Sequence, residues 1–168
     1  MKTIQKCFKE WNAIIEALGQ GKQVIVIRKY SPSARDFFLY PTISYTRKEN
    51  YLDAFKDKDR EFILEHALPK QSEKLIEIKY FAHVHKLIEM PSRNIRKITN
   101  EHMWNESHVT NYLKGKKAKI WVLRVYKLEK PHMVKKIKGM LYGNLENGIE
   151  LEGMTPVIDD VTFLNKGY

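Results

Sequence analysis

Residues 117–130 have the sequence KAKIWVLRVYKLEK, whose alternating pattern predicts a β-strand. Successive side chains of a strand point to opposite faces of a sheet. One face takes Ile120, Val122, Arg124 and Tyr126, and the other takes Trp121, Leu123, Val125 and Lys127. The segment therefore indicates that a sheet organises the core of this chain.

Three further segments predict strands. The longest is KLIEIKYFAHVHKLIEM at residues 74–90, which Pro91 closes. The β-branched run KQVIVIRK at residues 22–29 is too short for a helix, and its centre is expected to be buried on both faces. The third strand, DFFLYPTISY at residues 36–45, contains Pro41, so we expect it at a sheet edge or with a bulge.

Helices are predicted where apolar residues recur at intervals of three and four, or where a capping residue precedes a short segment. These segments are residues 4–18, 48–67, 93–99 and 105–113. The first is amphipathic, with Thr3 as its N-cap and Gly19 and Gly21 as its stop. Ser92 and Asn105 are the candidate N-caps of the last two helices.

The order of these elements predicts an α+β fold. A short hairpin is also expected within residues 139–153, with its turn at residues 146–148, Glu-Asn-Gly. Helices that do not alternate regularly with strands favour a small curved mixed sheet, or a pseudo-barrel, of about five strands. We expect one domain over residues 1–168, with an N-terminal helix and several short helices.

The charge of the chain points to a polyanionic partner. Thirty Lys and Arg residues stand against 20 Asp and Glu, a formal charge of +10 on 168 residues. A content of 43% apolar and 11% aromatic residues excludes a disordered protein. The basic residues lie within segments predicted to fold, interleaved with Tyr, Trp and Phe, as in proteins that bind nucleic acid.

The chain has one cysteine, Cys7, which excludes an intrachain disulfide and a cysteine-ligated zinc cluster. Its position on the apolar stripe of the first predicted helix favours a core residue over a nucleophile. The N-terminal segment lacks the apolar region of a signal peptide, and no apolar run approaches the ~20 residues that span a bilayer. We therefore expect a cytoplasmic protein that does not contact a membrane.

Five basic and aromatic residues form the first candidate site: Arg28, Lys29, Tyr40, Tyr45 and Arg124. Arginine grips phosphate with two hydrogen bonds and stacks on bases, and aromatic stacking contributes about 1–3 kcal/mol per base. The alternative is that Arg124 pairs with a buried carboxylate while the aromatic residues fill the core. Core packing is expected for Trp11, Phe38 and Trp121.

The segment HMWNESH at residues 102–108 is a second candidate, because a Trp beside polar residues at a helix start can shape a site for a base or an anion. His102 would titrate near neutrality. The alternative is an ordinary cap, with Trp104 anchoring the helix to the core. Lys116 and Lys117 belong to a basic run that would contact phosphates, or would simply be solvated.

Two weaker patterns suggest metal chemistry. His83 and His85, two residues apart on a strand, would project to one face and could share a metal, although a solvated strand face is the simpler interpretation. Glu77 and Lys79 match the E-x-K pair of PD-(D/E)xK nucleases, in which the carboxylate binds a divalent ion and the lysine lies near the attacking water. Such a site also needs an upstream acidic residue, often in a turn at the preceding strand, whereas the upstream residues Asp53, Asp57 and Asp59 lie in a predicted helix.

Four segments occur in a characteristic order: FKEWNAIIEALGQGKQVIVIRK (8–29), FFLYPT (37–42), HMWNESHV (102–109) and IWVLRVYKLEKP (120–131). Together they resemble the prokaryotic domain-of-unknown-function family 1802. The resemblance implies one compact domain and carries no established activity. Residues 43–46 and 144–148 depart from the family pattern.

A more distant similarity is to the PUA-like folds, including the ASCH and EVE groups. It rests on the order of a helix, the GKQ…IRK strand, a long central strand and late helices. These folds are pseudo-barrels whose members bind RNA or modified bases, so the similarity implies a nucleic-acid partner.

The leading prediction is a protein that recognises single-stranded or modified RNA or DNA through a basic and aromatic face, for which no cofactor is expected. That face comprises Arg28, Lys29, Tyr40, Arg124 and the helix start at residues 102–104. The first alternative is a metal-dependent nuclease that uses Glu77, Lys79 and a divalent ion. The second is an adaptor that docks on an acidic protein partner.

Overall fold

The computed structural model describes residues 3–139 and 141–168. The strands are β1 (Thr3–Trp11), β2 (Ile25–Arg28), β3 (Asp36–Thr42), β4 (Leu75–Met90), β5 (Ala118–Lys135), β6 (Tyr142–Glu150) and β7 (Thr155–Pro156). The helices are α1 (Asn12–Gly19), α2 (Arg60–Glu65), α3 (Glu106–Leu113) and α4 (Asp160–Leu164). Short 3-10 helices lie at Ser44–Arg47, Tyr51–Ala54, Asp57–Asp59 and Ser92–Glu101. Within these described residues no helix is both long and apolar enough to cross a membrane.

The strands form one curved, mixed sheet, which confirms the predicted α+β class. Its order is β2-β5-β4-β3-β1-β6, with β7 paired to β5. β1 and β3 are parallel, and the other pairs are antiparallel. The sheet is larger than predicted, with seven strands among the residues that the structure describes.

The two longest strands, β4 and β5, pair along most of their length and bend at two register shifts. Bulges of this kind increase the local twist and curve a sheet. At one shift, Ile78 pairs with His132 and Tyr80 pairs with Lys127, so an extra segment of β5 faces Lys79. Pro131 lies in this extra segment. Proline is tolerated in a bulge because no ladder hydrogen bond is lost there. β5 therefore continues past the predicted end of the strand to Lys135.

The predicted N-terminal helix at residues 4–18 is wrong in its first half, which forms β1, so Thr3 is not an N-cap. β1 lies inside the sheet, between β3 and β6, and is covered on both faces. The neighbours Cys7 and Phe8 therefore point into two different cores. Spacing that suits one face of a helix also suits a strand buried on both faces, and long-range pairing decided between them. The predicted stop is confirmed, since α1 ends at Gly19 and Gly21 follows with a φ of 73°.

The predicted helix at residues 48–67 is also wrong over most of its length. Backbone hydrogen bonds join Lys56 N–H to the Met103 carbonyl at 3.0 Å and Asn105 N–H to the Ala54 carbonyl at 2.9 Å. Because these bonds use the backbone groups that a continuous helix would need, the segment breaks into 3-10 turns and the short α2.

The predicted hairpin at residues 146–148 is not formed. These residues lie within the single strand β6, where the ladder to β1 passes from Ile4 opposite Ile149 to Lys6 opposite Asn144. Four residues of β6 thus face one residue of β1, and the Gly-containing segment forms a wide irregularity.

Two other expectations concern caps and proline. Asn105 is the N-cap of α3, as predicted, and its side-chain oxygen accepts from His108 N–H at 2.8 Å. Pro91, and not Ser92, occupies the capping position of the 3-10 helix that follows β4. Pro41 lies beyond the part of β3 that pairs with β4 and is paired to β1 opposite Glu10. The proline therefore sits where the antiparallel ladder has already ended.

Each face of the sheet carries a hydrophobic core. The larger core includes Phe8, Phe37 and Trp121 and is covered by α1. The smaller core contains Cys7 and Phe38. The predicted core positions of Cys7, Phe38 and Trp121 are thereby confirmed, and burial raises the pKa of the Cys7 thiol to about 12.

Candidate nucleic-acid interface

A cleft of about 610 Å³ opens where β1, β2 and β3 end. Its volume falls within the roughly 300–1,000 Å³ of small-ligand sites. One wall is formed by the ends of β1, β2 and β3 and the residues that follow these strands. The other wall is formed by α3 and by Trp104, which precedes it. The charged and aromatic residues that line the cleft are Lys9, Glu10, Trp11, Arg28, Lys29, Tyr30, Trp104, His108 and Tyr112.

An ion pair between Arg28 and Glu10 forms the base of the cleft. Both side chains are largely withdrawn from solvent, with 12% of Arg28 and 4% of Glu10 exposed. The second Glu10 oxygen accepts from Trp11 N–H at 2.8 Å, and Arg28 also donates to the Ile27 carbonyl at 2.9 Å. Burial acts to lower the pKa of Arg28, but the Glu10 carboxylate, together with Tyr30 and Tyr112, raises it overall. Arg28 therefore keeps its charge in the fold, and hydrogen bonds to both side chains fix the position of the pair.

Aromatic rings flank this ion pair. Trp11 stacks on Tyr45 with ring centroids 4.7 Å apart and also lies 5.5 Å from the ring of His108. The Tyr30 ring packs edge-on against Trp121 with centroids 5.8 Å apart, and the Tyr30 carbonyl accepts from the Trp121 indole N–H at 3.0 Å. Rings that are already packed lose little conformational entropy when a flat ligand stacks on them.

Two lysines supply positive charge at the cleft. The Lys29 ammonium lies over the Tyr112 ring, 4.8 Å from its centroid, and within the described residues it makes no ion pair with a carboxylate. The Lys9 ammonium donates to the carbonyls of Ile137 and Gly139 at 2.8 Å and 2.7 Å. Neutral carbonyls do not cancel a lysine charge, so both cations remain able to attract an anion.

His108 contributes a neutral ring to the cleft at physiological pH. Burial lowers the pKa of its imidazole, the charge of Lys48 lowers it further, and Glu10 opposes both. The ring therefore acts as a flat and polar wall, and the positive charge of the cleft comes from the lysines.

Of the predicted nucleic-acid contacts, the structure brings Arg28, Lys29 and Trp104 to this cleft. Tyr45 lies behind Trp11 and is buried. Its hydroxyl donates to the Ala67 carbonyl at 2.8 Å and accepts from Ala13 N–H at 3.2 Å. Tyr45 thus supports a ring of the cleft from behind.

Tyr40 and Arg124 are not brought to the cleft, so the predicted joint site with Arg28 and Lys29 is not assembled. Tyr40 points into the smaller core, where its hydroxyl accepts from Ile137 N–H at 3.0 Å. Arg124 donates to the Ile158 carbonyl at 2.8 Å and to the Asp160 carboxylate at 2.6 Å, and it covers the Phe163 ring. Its partner Asp160 is exposed, which differs from the buried carboxylate considered from the sequence. Arg124 therefore fastens the C-terminal segment to the sheet.

His102 is buried beside Trp104 and lies outside the cleft. Burial, followed by the charge of Lys56, lowers its pKa to about 4, which corrects the expected titration near neutrality. Lys116 and Lys117 are exposed in the turn between α3 and β5, a few residues beyond Tyr112. They lie outside the cleft, near the end of the helix that forms its wall.

The residues of the nuclease and metal alternatives lie elsewhere. Glu77 and Lys79 line a separate polar cleft of about 340 Å³, in which Lys79 pairs with the buried Glu16. His83 Nδ1 lies 2.8 Å from the Asp36 carboxylate, whereas His85 occupies a register shift of β4 and packs edge-on against Phe163. Within the described residues no three His, Cys, Asp or Glu side chains are grouped as metal ligands would be.

Several residues of the cleft were not singled out from the sequence, namely Lys9, Glu10, Tyr30 and Tyr112, and Trp11 was assigned to the core. Lys9, Glu10 and Trp11 fell in the segment predicted as helix, which concealed that they end a strand. The signal that could have found them is the pairing of a Lys-Glu-Trp triplet at residues 9–11 with an Arg-Lys-Tyr triplet at residues 28–30. Both triplets follow buried apolar residues and meet at one end of the sheet.

Comparison with known proteins finds a family that covers nearly the whole chain. The model of a family described as a domain of unknown function, DUF1802, matches residues 7–167. No protein with a curated description matches the sequence significantly.

Among solved structures, the ASCH protein of Zymomonas mobilis is similar at 15% identity and a TM-score of 0.46, over 71% of this chain and 66% of that one. A serine-to-alanine mutant of it matches at 14% identity and the same TM-score and coverage. A tyrosine-to-phenylalanine mutant matches at 14% identity and a TM-score of 0.47, over 76% and 73% of the two chains. The first matches thus span just under two thirds of the ASCH protein. A likeness this distant says nothing about what the chain binds.

Proposed function

This chain belongs to the DUF1802 family, whose description assigns no function. From the cleft, we propose that the protein binds single-stranded or modified RNA or DNA. The observation that carries the proposal is the combination, around one cleft, of aromatic walls and two lysines that form no ion pair with any carboxylate among the described residues. Unpaired bases need flat partners and phosphates need cations, and the cleft offers both within one small volume.

The roles of the individual residues follow from their contacts. Trp11 and Tyr112 would take a base, since the rings of both line the cleft. Lys29 would take the adjoining phosphate, because a flexible side chain resting on a ring can move to a stronger partner. Arg28 is already paired with Glu10, so it shapes the base of the cleft and contributes little net charge.

Lys116 and Lys117 would extend the contact along the backbone of a longer strand. Their exposure in the turn after α3 suits phosphate contacts, which add affinity without selecting a sequence. Tyr40 and Arg124 have no place in the proposed site, because both are engaged in other contacts.

The experiment is fluorescence anisotropy with labelled single-stranded RNA and DNA at rising salt. Two lysines that release counterions predict a slope of log affinity against log salt of about −1.4, steeper if the turn lysines also take part. Tyr112→Leu should weaken binding by about 1–3 kcal/mol, the contribution of one stacked base. Tyr112→Phe is the matched control, because it keeps the ring, and it should bind as the wild type does.

Equal affinities of Tyr112→Leu and Tyr112→Phe would show that no base stacks on this ring. Undetectable or salt-independent binding to every oligonucleotide would overturn the proposal. Binding to an acidic peptide in the absence of nucleic-acid binding would favour an adaptor instead.

A further inference from the structure

A second cleft, of about 560 Å³, adjoins the first. The two clefts share Trp11, Ser44 and His108. The rings of Trp11 and His108, with centroids 5.5 Å apart, form a ridge between them. A ligand that crosses this ridge would occupy both clefts at once.

The second cleft repeats the chemistry of the first. Its aromatic wall continues from Trp11 to Tyr45 and Tyr51, which meet edge to face with centroids 5.7 Å apart. The exposed residues Asn50 and Asn111, each with a side-chain amide, also line it. An amide offers both a donor and an acceptor, which is what the edge of an unpaired base requires.

The charges around the ridge favour an anion. Lys48 lines the second cleft and makes no ion pair with any residue that the structure describes. It lies close enough to His108 to lower the pKa of that imidazole, after the larger effect of burial. The acidic residue of the second cleft, Asp53, lies 3.9 Å from the Arg60 guanidinium, which also pairs with Asp57 at 3.0 Å and so offsets only part of the Asp53 charge.

We infer that the two clefts are consecutive nucleotide subsites, so that the ligand is a dinucleotide unit of a single strand whose phosphodiester crosses the ridge of Trp11 and His108. This inference rests on the proposed function and extends it. The first base lies beside Tyr112 and the second beside Tyr51, and Lys48 faces the bridging phosphate. An isolated nucleotide would fill only one of the two subsites.

Calorimetric titration with a nucleoside monophosphate, a dinucleotide and a dinucleotide with one abasic position tests the inference. The full dinucleotide should bind roughly fivefold to 150-fold more tightly than the monophosphate, the factor that corresponds to stacking of about 1–3 kcal/mol per base. The abasic dinucleotide should bind about as weakly as the monophosphate, because it supplies the phosphate without the second base.

Variants separate the two subsites. Asn111→Ala, at an exposed helix position where alanine favours the helix, should weaken dinucleotide binding severalfold and leave the monophosphate unchanged. Asn144→Ala, an exposed asparagine on β6 outside both clefts, is the matched control and should alter neither affinity.

Equal affinities for the monophosphate and the dinucleotide would overturn the second subsite and leave the proposed function standing. An Asn111→Ala effect that is the same for both ligands would do so as well. Failure of all three ligands and of longer strands to bind would instead overturn the proposed function, and the inference with it.

Discussion

Replacement of Glu10 by glutamine is the most informative perturbation, because it should change stability and binding in opposite directions. Glu10→Gln keeps the shape of the side chain and an oxygen that can accept from Trp11 N–H. It removes the only carboxylate that pairs with Arg28 within the described residues. The Arg28 charge is then left buried, with the Ile27 carbonyl and the Phe8 ring as its remaining partners.

The expected loss of stability follows from this geometry. Removing one member of a buried ion pair typically destabilises a protein by about 3–5 kcal/mol. Since 12% of the Arg28 side chain is exposed and two partners remain, we expect the lower end, about 3 kcal/mol. The pair of Glu89 and Lys119 is the matched control, because Glu89 is half exposed, and Glu89→Gln should destabilise the protein far less than Glu10→Gln.

Urea denaturation at neutral pH measures the stability, and anisotropy at several salt concentrations measures binding. Arg28 freed from its partner would act as one additional cation, so the salt slope should steepen by about 0.7. A second variant, Glu10→Gln with Arg28→Met, removes both charges. It should recover at least half of the lost stability and lose the added salt dependence. If Glu10→Gln were no more destabilising than Glu89→Gln, the pair would not be the buried, rigid base of the cleft described above.

Two further predictions concern the core. Gly19→Ala should destabilise the protein by about 2–4 kcal/mol in urea denaturation, because its Cβ would overlap the Tyr80 ring, whose hydroxyl donates to Glu16 at 3.2 Å. Helix propensity alone predicts the opposite sign, so a gain in stability would reject the packing argument. His102 is neutral in the fold, with its pKa lowered to about 4, but has its ordinary pKa of about 6.5 when unfolded. The unfolded state therefore binds more protons, and up to about 3 kcal/mol of stability should be lost as the pH falls from about 6.5 to 4. His102→Phe should flatten that part of the pH profile, and an unchanged profile would contradict the assignment.

Much of the fold was predictable where local pattern and tertiary environment agree. The strands β2, β4 and β5 and the capped helix α3 follow from apolar runs, alternation and the Asn105 cap. β1 was not predictable in this way, because its partners β3 and β6 lie far along the chain. Its apolar spacing fits a helix equally well, and only the free energy of pairing with distant strands distinguishes the two.

The same limit applies to the candidate site. Arg28, Lys29 and Trp104 were predicted and line the cleft, but Lys9, Glu10 and Trp11 were hidden within the segment assigned to a helix. The prediction that Tyr40 belongs to the site was wrong for a related reason. Alternation along β3 indicates which residues share a face of the sheet, but it does not indicate which face is open to a ligand.

By itself, the sequence determined the net charge of +10, the α+β class and the positions of most strands and of α3, because these depend on composition and on periodicities of two and 3.6 residues. Only the tertiary structure decided that Glu10 forms an ion pair with Arg28 and that Asp160 forms one with Arg124. It also decided that two adjoining clefts share Trp11. Each of these facts is a contact between residues distant in the chain. Such contacts depend on how the sheet is ordered and which of its faces are covered, and no local pattern encodes that.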